Sequence, residues 1–167
     1  MTFEESFKLS MKRDLPQLLE QPGGLSIGLG ESGQHKAGRD MSFGPPQWIF
    51  SRDAIPIKSG SVGIVHAYHF LEHLDLDDVI ELLREVERVL MPGGVFQFAI
   101  PHFSAEISSD DITHKSFWTE NVFRNLFRND HYSPTAQGWK LKEHYIVAAA
   151  VAARNLSIMG QLVKVKA

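Results

Sequence analysis

The hydrophobic pattern is clearest between Asp75 and Gly94. Leu76, Val79, Ile80, Leu83, Val86 and Leu90 recur at the 3.6-residue period, with Glu81, Arg84, Glu85 and Arg88 on the other side, so an amphipathic helix is predicted here. Asp75 suits the N-cap, and Asp75, Asp77 and Asp78 meet the positive end of the helix dipole. Pro92-Gly93-Gly94 is expected to stop the helix. Val62 to Tyr68 is β-branched and aromatic and reads as a strand, as does the apolar run from Val95 to Ile100 that ends at Pro101.

Upstream, Leu25-Ser26-Ile27 is a short strand that runs into Gly28-Leu29-Gly30-Glu31-Ser32-Gly33. Residues 34–47 are poor in apolar side chains and predict a loop, with at most a very short strand around Gly38 to Met41. Trp48-Ile49-Phe50 reads as a strand, and Ile55 to Gly60 as a turn-rich connection. Before all of these, Asp14, Pro16, Leu15, Leu18 and Leu19 predict a helical lead-in, broken by Pro22-Gly23-Gly24.

Downstream, Ser104 to Thr113 is polar and predicts a mobile loop; extended to Lys115 it would serve as a lid. Thr119 is placed to cap a short helix with Val122, Phe123, Leu126 and Phe127 on one face. The aromatic cluster Phe117, Trp118, Phe123 and Phe127 suits the core better than an interface, and homo-oligomers stay open. Residues 129–138 read as a loop, and the alanine-rich stretch from Trp139 to Ala153 fits either strand or helix. Leu162 to Val165 reads as a closing strand. Helices alternate with strands, so the fold class is α/β with a largely parallel sheet.

Composition changes this picture little. The chain has 167 residues, enough for one domain, and a net charge of -3 with no block of Lys or Arg, so neither nucleic acid nor an acidic membrane surface is signalled. It has no cysteine, which excludes disulfides, thiolate metal sites and cysteine nucleophiles. The first ten residues lack an apolar signal core, and no stretch is long enough for a membrane helix; a cytoplasmic location is expected.

Gly28, Gly30 and Gly33 match G-x-G-x-x-G after a strand, a pattern that lets backbone approach a ligand closely. A dinucleotide-binding unit needs a helix straight after the third glycine. Gln34 to Arg39 offers barely one turn, so a phosphate resting on a long helix N-terminus is disfavoured.

Several blocks in order resemble the class I S-adenosylmethionine-dependent methyltransferases: Leu25 to Gly30, Asp53-Ala54-Ile55-Pro56, Gly60-Ser61-Val62, His69-Phe70-Leu71-Glu72-His73, and Arg84 through Gly94. The last, a helix ending in leucine before Pro-Gly-Gly and a strand, is the most distinctive. The resemblance covers about residues 24 to 102, with a looser echo at Asp111 to His114 and Phe117. It implies a Rossmann-like sandwich with a mostly parallel central sheet and a shortened first helix. A single domain over 1–167 would comprise a lead-in (1–22), a cofactor core (24–102) and an acceptor side (103–167). It implies S-adenosylmethionine as cofactor and S-adenosylhomocysteine as product. Gly28 and Gly30 would lie under the methionine and ribose, Asp40, at the end of the second strand, would accept the ribose hydroxyls, and Asp53 with the Ala54 backbone would meet the adenine. His69 would face the reacting end. Ser26 departs from the acidic or amide residue common at its position.

The resemblance implies a small-molecule acceptor entering near His69, His102 and His114, any of which could act as base. A sulfonium is already an activated donor, so holding the acceptor in line supplies much of the rate. An alternative is a protein that keeps the fold and binds without turnover. A remote one is a zinc hydrolase, because His69 to His73 also spells H-x-x-E-H, with Glu143 as a third ligand. That motif must lie within a helix, whereas Val62 to Tyr68 reads as strand and Asp75 caps the helix that follows. No metal ligand set is therefore expected, and Glu72 and His73 are read as tying the strand end to the helix.

Overall fold

The computed structural model describes residues 23–30, 40–44, 53–127, 141–152 and 155–165. The lead-in helix over 1–22 and the strand at Trp48 to Phe50 lie outside them. Among the described residues six strands form one sheet: β1 (Leu25–Leu29), β2 (Met41–Phe43), β3 (Val62–Tyr68), β4 (Leu90–Pro101), β5 (Leu141–Ala152) and β6 (Asn155–Lys164). Their order is β2-β1-β3-β4-β6-β5. β1 to β4 run parallel, and β6 is antiparallel to both β4 and β5. The α/β class holds, with a hairpin added at one edge.

Helix α1 (Leu76–Val89) follows the predicted stripe except at Leu76, which is exposed, and the Asp75 side chain accepts from the Asp78 N–H at 3.1 Å. Val79, Leu82, Leu83, Val86 and Val89 are fully buried against Ile27, Leu29, Val65, Ala67, Phe96 and Phe98 in one core cluster. Each such side chain contributes about 1.5–3 kcal/mol. Two short helices, α2 (Glu106–Asp110) and α3 (Glu120–Leu126), follow β4. α3 sends Phe123 into the core, stacked at 4.0 Å from Phe98 and 5.1 Å from Trp118. Of the aromatic cluster, Trp118 and Phe123 are core and Phe117 is exposed.

Several local expectations need correction. Pro92-Gly93-Gly94 does not separate helix from strand; the strand begins at Leu90, and the pairing jumps from Val62↔Leu90 to Ile64↔Val95. Residues 91–94 are absorbed as a bulge, with Gly93 at φ 79°. The segment read as a polar loop contains α2 and buries Ser108. Thr119 stands at the N-cap of α3 but makes no side-chain cap bond; its carbonyl accepts from Val122 N–H instead. The short strand expected at Gly38 to Met41 is Met41–Phe43. The alanine-rich stretch is strand, because pairing along β6 from Leu141 to Ala152 overrides the helix preference of alanine.

The turn-rich segment before β3 is clamped by α1. Arg88 donates to the carbonyls of Ile57 and Ile55, each at 2.8 Å, and to Ser59 Oγ at 3.2 Å. Glu85 accepts from the Ile55 N–H at 3.1 Å and from Arg88 at 2.8 and 2.9 Å. The Arg88 hydrogen bond, more than the Ile55 N–H, holds the Glu85 carboxyl below its ordinary pKa, and Glu85 in turn raises that of Arg88. Gly30 ends β1 at φ 67°, and an added Cβ would fall 2.3 Å from the Phe70 ring.

Three outcomes are expected. Arg88→Ala should cost about 1–3 kcal/mol in urea unfolding at neutral pH, as for a charged hydrogen-bond donor. Because the folded pKa of Glu85 is lowered, its contribution holds above the unfolded pKa and fades as pH falls through the folded one. The stability gap between wild type and Glu85→Gln should therefore shrink in acid; a gap that widens contradicts the clamp. Gly30→Ala should lose about 1–2 kcal/mol for the left-handed backbone alone and more for the overlap with Phe70. In a double-mutant cycle the excess should shrink in the Phe70→Ala background, which removes the ring but keeps the Cβ 2.9 Å away.

Candidate functional site

Chain order reverses between β1 and β3: from β1 the chain runs outward to β2, then returns to place β3 on the other side of β1. In open α/β sheets a crevice forms at the carboxyl ends of strands flanking such a reversal. Gly30 leaves β1 there, His69 leaves β3 and His102 follows in β4's line of exit. The glycine-loop residues Gly28 and Gly30 and the histidines His69 and His102 thus share one edge of the sheet.

Asp40 does not join them. It stands where β2 begins, its N–H donating to the Ser26 carbonyl at 2.8 Å and its carboxylate accepting from the Ser26 N–H at 2.7 Å. Its expected position at the end of the second strand is corrected: the parallel pairing Ile27↔Met41 sets it at the opposite edge from Gly30. Asp53 and Ala54 are exposed and lead into Ile55, where the α1 clamp begins.

The exit from β3 is conformationally unusual. His69 has φ 51°, a left-handed backbone that a residue with a Cβ seldom adopts. Its N–H donates to the Ala99 carbonyl at 2.9 Å, which fastens the exit to β4. A 3-10 turn, Leu71–His73, carries the chain to α1. His69 and His73 therefore share no helical face, and the H-x-x-E-H reading lacks the helix it needs. Glu143, its proposed third ligand, pairs instead with Arg124 at 3.0 Å.

The turn buries Glu72. The residue is 1% exposed, and neither carboxylate oxygen has a hydrogen bond of proper geometry. His69 Nδ1 lies 3.2 Å and His114 Nε2 4.0 Å from Glu72 Oε1. The Glu72 carbonyl accepts from the N–H groups of Lys115 and Ser116 at 2.7 and 3.2 Å, so the segment bearing His114 is tied to the turn. His114 Nδ1 donates to the Ser108 carbonyl at 3.0 Å, and its ring packs edge-on against His73 at 4.8 Å. The structure thus brings His69 and His114 together around an acid read from the sequence only as a structural tie.

His102 is held separately. Its Nδ1 accepts from the Ser104 N–H at 3.2 Å, with Ser104 Oγ at 2.7 Å, and its Nε2 lies 3.5 Å from Glu120. Acceptance at Nδ1 fixes the proton of the neutral ring on Nε2, facing that carboxylate. Glu120, Asp111 and Thr113 were not foreseen as site residues; isolated polar side chains in irregular sequence carry no periodic signal. Asp111 has its carboxyl held below the ordinary range, first by the Thr113 hydroxyl, then by the Thr113 N–H, with His114 and His73 adding.

Residues 40–98 match a family model described as a methyltransferase domain. No curated protein matches the chain in sequence. Among solved structures, the chain is similar to the protein in complex with the Trm112 methyltransferase activator of Haloferax volcanii. The TM-score is 0.64 at 15% identity, over 99% of this chain and 92% of that one. It is also similar to an S-adenosylmethionine-dependent methyltransferase of Thermotoga maritima, with TM-score 0.61 at 13% identity over 97% and 94%. A third, from Mesorhizobium loti, gives 0.55 at 13% over 92% and 97%. Residues 40–98 thus carry the sequence pattern of a methyltransferase domain, and the fold is the one shared by these S-adenosylmethionine-dependent methyltransferases of known structure.

Proposed function

We propose that this protein transfers a methyl group from S-adenosylmethionine to a small-molecule acceptor, at nitrogen, oxygen or carbon, and releases S-adenosylhomocysteine. The observation that carries the reading is the meeting of Gly30, His69 and His102 at the one edge of the sheet where chain order reverses. The cofactor supplies an activated methyl on a positively charged sulfur.

The residues fit that group in large part. Gly30 is bare backbone over which the Phe70 ring packs in the space a Cβ would take, so the glycine lets the exit of β3 close against the end of β1. Its N–H is committed to the Phe43 carbonyl at 2.7 Å, which leaves contact rather than donation as its role. Gly28 and Gly30 would support the methionine and ribose portions, and Asp53 with Ala54 the adenine. Ribose recognition by Asp40 is not part of the reading. His69 would face the reacting end, fixed by its bond to β4.

The acceptor side would be the segment after β4. Phe103, Ile112 and Phe117 are exposed on it, close in sequence to His102 and His114. Apolar side chains beside imidazoles suit a small molecule with an apolar body and a polar reacting atom. Where that atom carries a proton, a histidine near neutral pH can take it. Ser104 and Glu120 hold the His102 ring in one place but engage both of its nitrogens, so His102 would position the acceptor.

Isothermal titration with S-adenosylmethionine and S-adenosylhomocysteine tests the reading. Both should bind in the micromolar range, about 8 kcal/mol, and Asp53→Ala should weaken both roughly tenfold, about 1.4 kcal/mol. Binding of neither ligand sinks the methyl-transfer reading and leaves a fold that serves another purpose.

A further inference from the structure

We propose that Glu72, His73 and His114 form a binding site for a divalent transition-metal ion. One potential ligand atom from each lies within 4.8 Å of the others. A tetrahedral ion with ligands at about 2.1 Å separates them by roughly 3.4 Å, so side-chain turns of the order of 1 Å close the site.

Neighbouring groups fix where the ring protons sit. The Asp111 carboxylate accepts from the Thr113 hydroxyl at 2.6 Å, so that hydroxyl's one proton is spent. Thr113 Oγ1, 3.0 Å from His73 Nδ1, can then only accept, which places the proton of His73 on Nδ1. His114 Nδ1 lies 3.0 Å from the Ser108 carbonyl and is a donor for the same reason. Each neutral ring is left with its lone pair on Nε2. Beside these stands Glu72, 1% exposed, with two carboxylate oxygens and no hydrogen bond of proper geometry on either. Its nearest polar neighbours are imidazole nitrogens, His69 Nδ1 at 3.2 Å and His114 Nε2 at 4.0 Å from Oε1. A buried carboxylate is costly unless a positive charge stands beside it, and with the imidazoles of His73 and His114 it makes a ligand set that a cation completes.

The surroundings match a metal site. Ligating histidines ordinarily donate their other ring N–H to a carbonyl or to a carboxylate-backed group. Ser108 and the Thr113–Asp111 pair supply one of each. The two segments that carry the ligands are joined through the backbone, Lys115 and Ser116 N–H to the Glu72 carbonyl. Two imidazoles and one carboxylate favour zinc, cobalt, nickel or manganese over magnesium or calcium. Three protein ligands also leave coordination positions open. On the methyl-transfer reading, on which this last step rests, an oxygen or nitrogen donor of the acceptor takes one of them.

The untagged protein, stripped with a chelator, should be titrated with zinc and with cobalt while metal content and the cobalt visible spectrum are recorded. One equivalent should bind, with a cobalt spectrum of low coordination number and a rise in Tm. Glu72→Gln and His114→Ala should weaken binding at least 100-fold, and Thr113→Val about tenfold. His102→Ala, another histidine of the same edge, should leave it unchanged. Glu72→Gln relieves a buried charge, so without metal it should melt no lower than wild type, which shows that it folds. Binding of no metal by wild type overturns the proposal, as does equal affinity in Glu72→Gln or an equal loss in His102→Ala. The measurement needs no S-adenosylmethionine, so its failure is distinct from a failure to bind that cofactor.

Discussion

Seven consecutive residues, Val62 to Tyr68, are buried on both faces of the sheet, and the rest of the architecture depends on covering that strand. Toward α1 the cover is apolar: Val65 and Ala67 meet Val79, Leu83 and Phe98 in one cluster. The other face carries His66 and Tyr68, which a purely apolar strand would not. Their burial is offset by hydrogen bonds across neighbouring strands. His66 Nδ1 lies 3.1 Å from Tyr68 Oη, which accepts from Gln97 Nε2 at 2.6 Å, and Gln97 Oε1 accepts from Gln161 at 2.8 Å. The pairing His66↔Gln97↔Gln161 puts these side chains in one row across β3, β4 and β6. A register slip by one residue would send the polar row into the apolar core, so the network also fixes where each strand ends.

Where β3 ends decides the chemistry. A central parallel strand must release its chain at the carboxyl edge, over the ends of its neighbours, and here it does so through a left-handed His69 bonded to Ala99. The 3-10 turn that follows buries Leu71 and Glu72 together. Leucine at that depth costs nothing, but glutamate does. The turn needs the hydrophobic anchor, and the acid is carried inward beside it. The other end of β3 is held by Glu85 and Arg88, which fasten the segment from Ile55 to Ser59 to α1 and so set the start of the strand.

The sequence spoke most clearly where one period governed many residues. The α1 stripe, its Asp75 cap and the buried runs of β3 and β4 were all legible, because burial on a face imposes a repeat. Boundaries were harder to read. Pro92-Gly93-Gly94 has the composition of a stop, yet the chain threads it through a bulge, since pairing with β3 is available on both sides. Trp139 to Ala153 was ambiguous because alanine's helix preference and pairing with β6 oppose each other, and only tertiary contact decides. Asp40 was misplaced through an error of register: Met41 pairs with Ile27, so the acid opens its strand and does not close it.

The histidine cluster shows why a local motif can name the right residues for the wrong reason. H-x-x-E-H reads as two histidines on a helical face, and spacing alone suggests His69 with His73. The strand end intervenes, and the two no longer share a face. The partner that replaces His69 is His114, forty-one positions beyond His73 in the chain. No periodicity relates them. They meet because Lys115 and Ser116 donate to the Glu72 carbonyl, a backbone bond that says nothing in sequence. The pattern of protons then follows from neighbours equally remote from the motif, Ser108, Asp111 and Thr113. Which nitrogen faces the carboxylate is therefore a property of the fold, whereas the presence of donors is a property of the chain. A ligand set of this kind becomes visible only when the buried acid is asked what balances its charge.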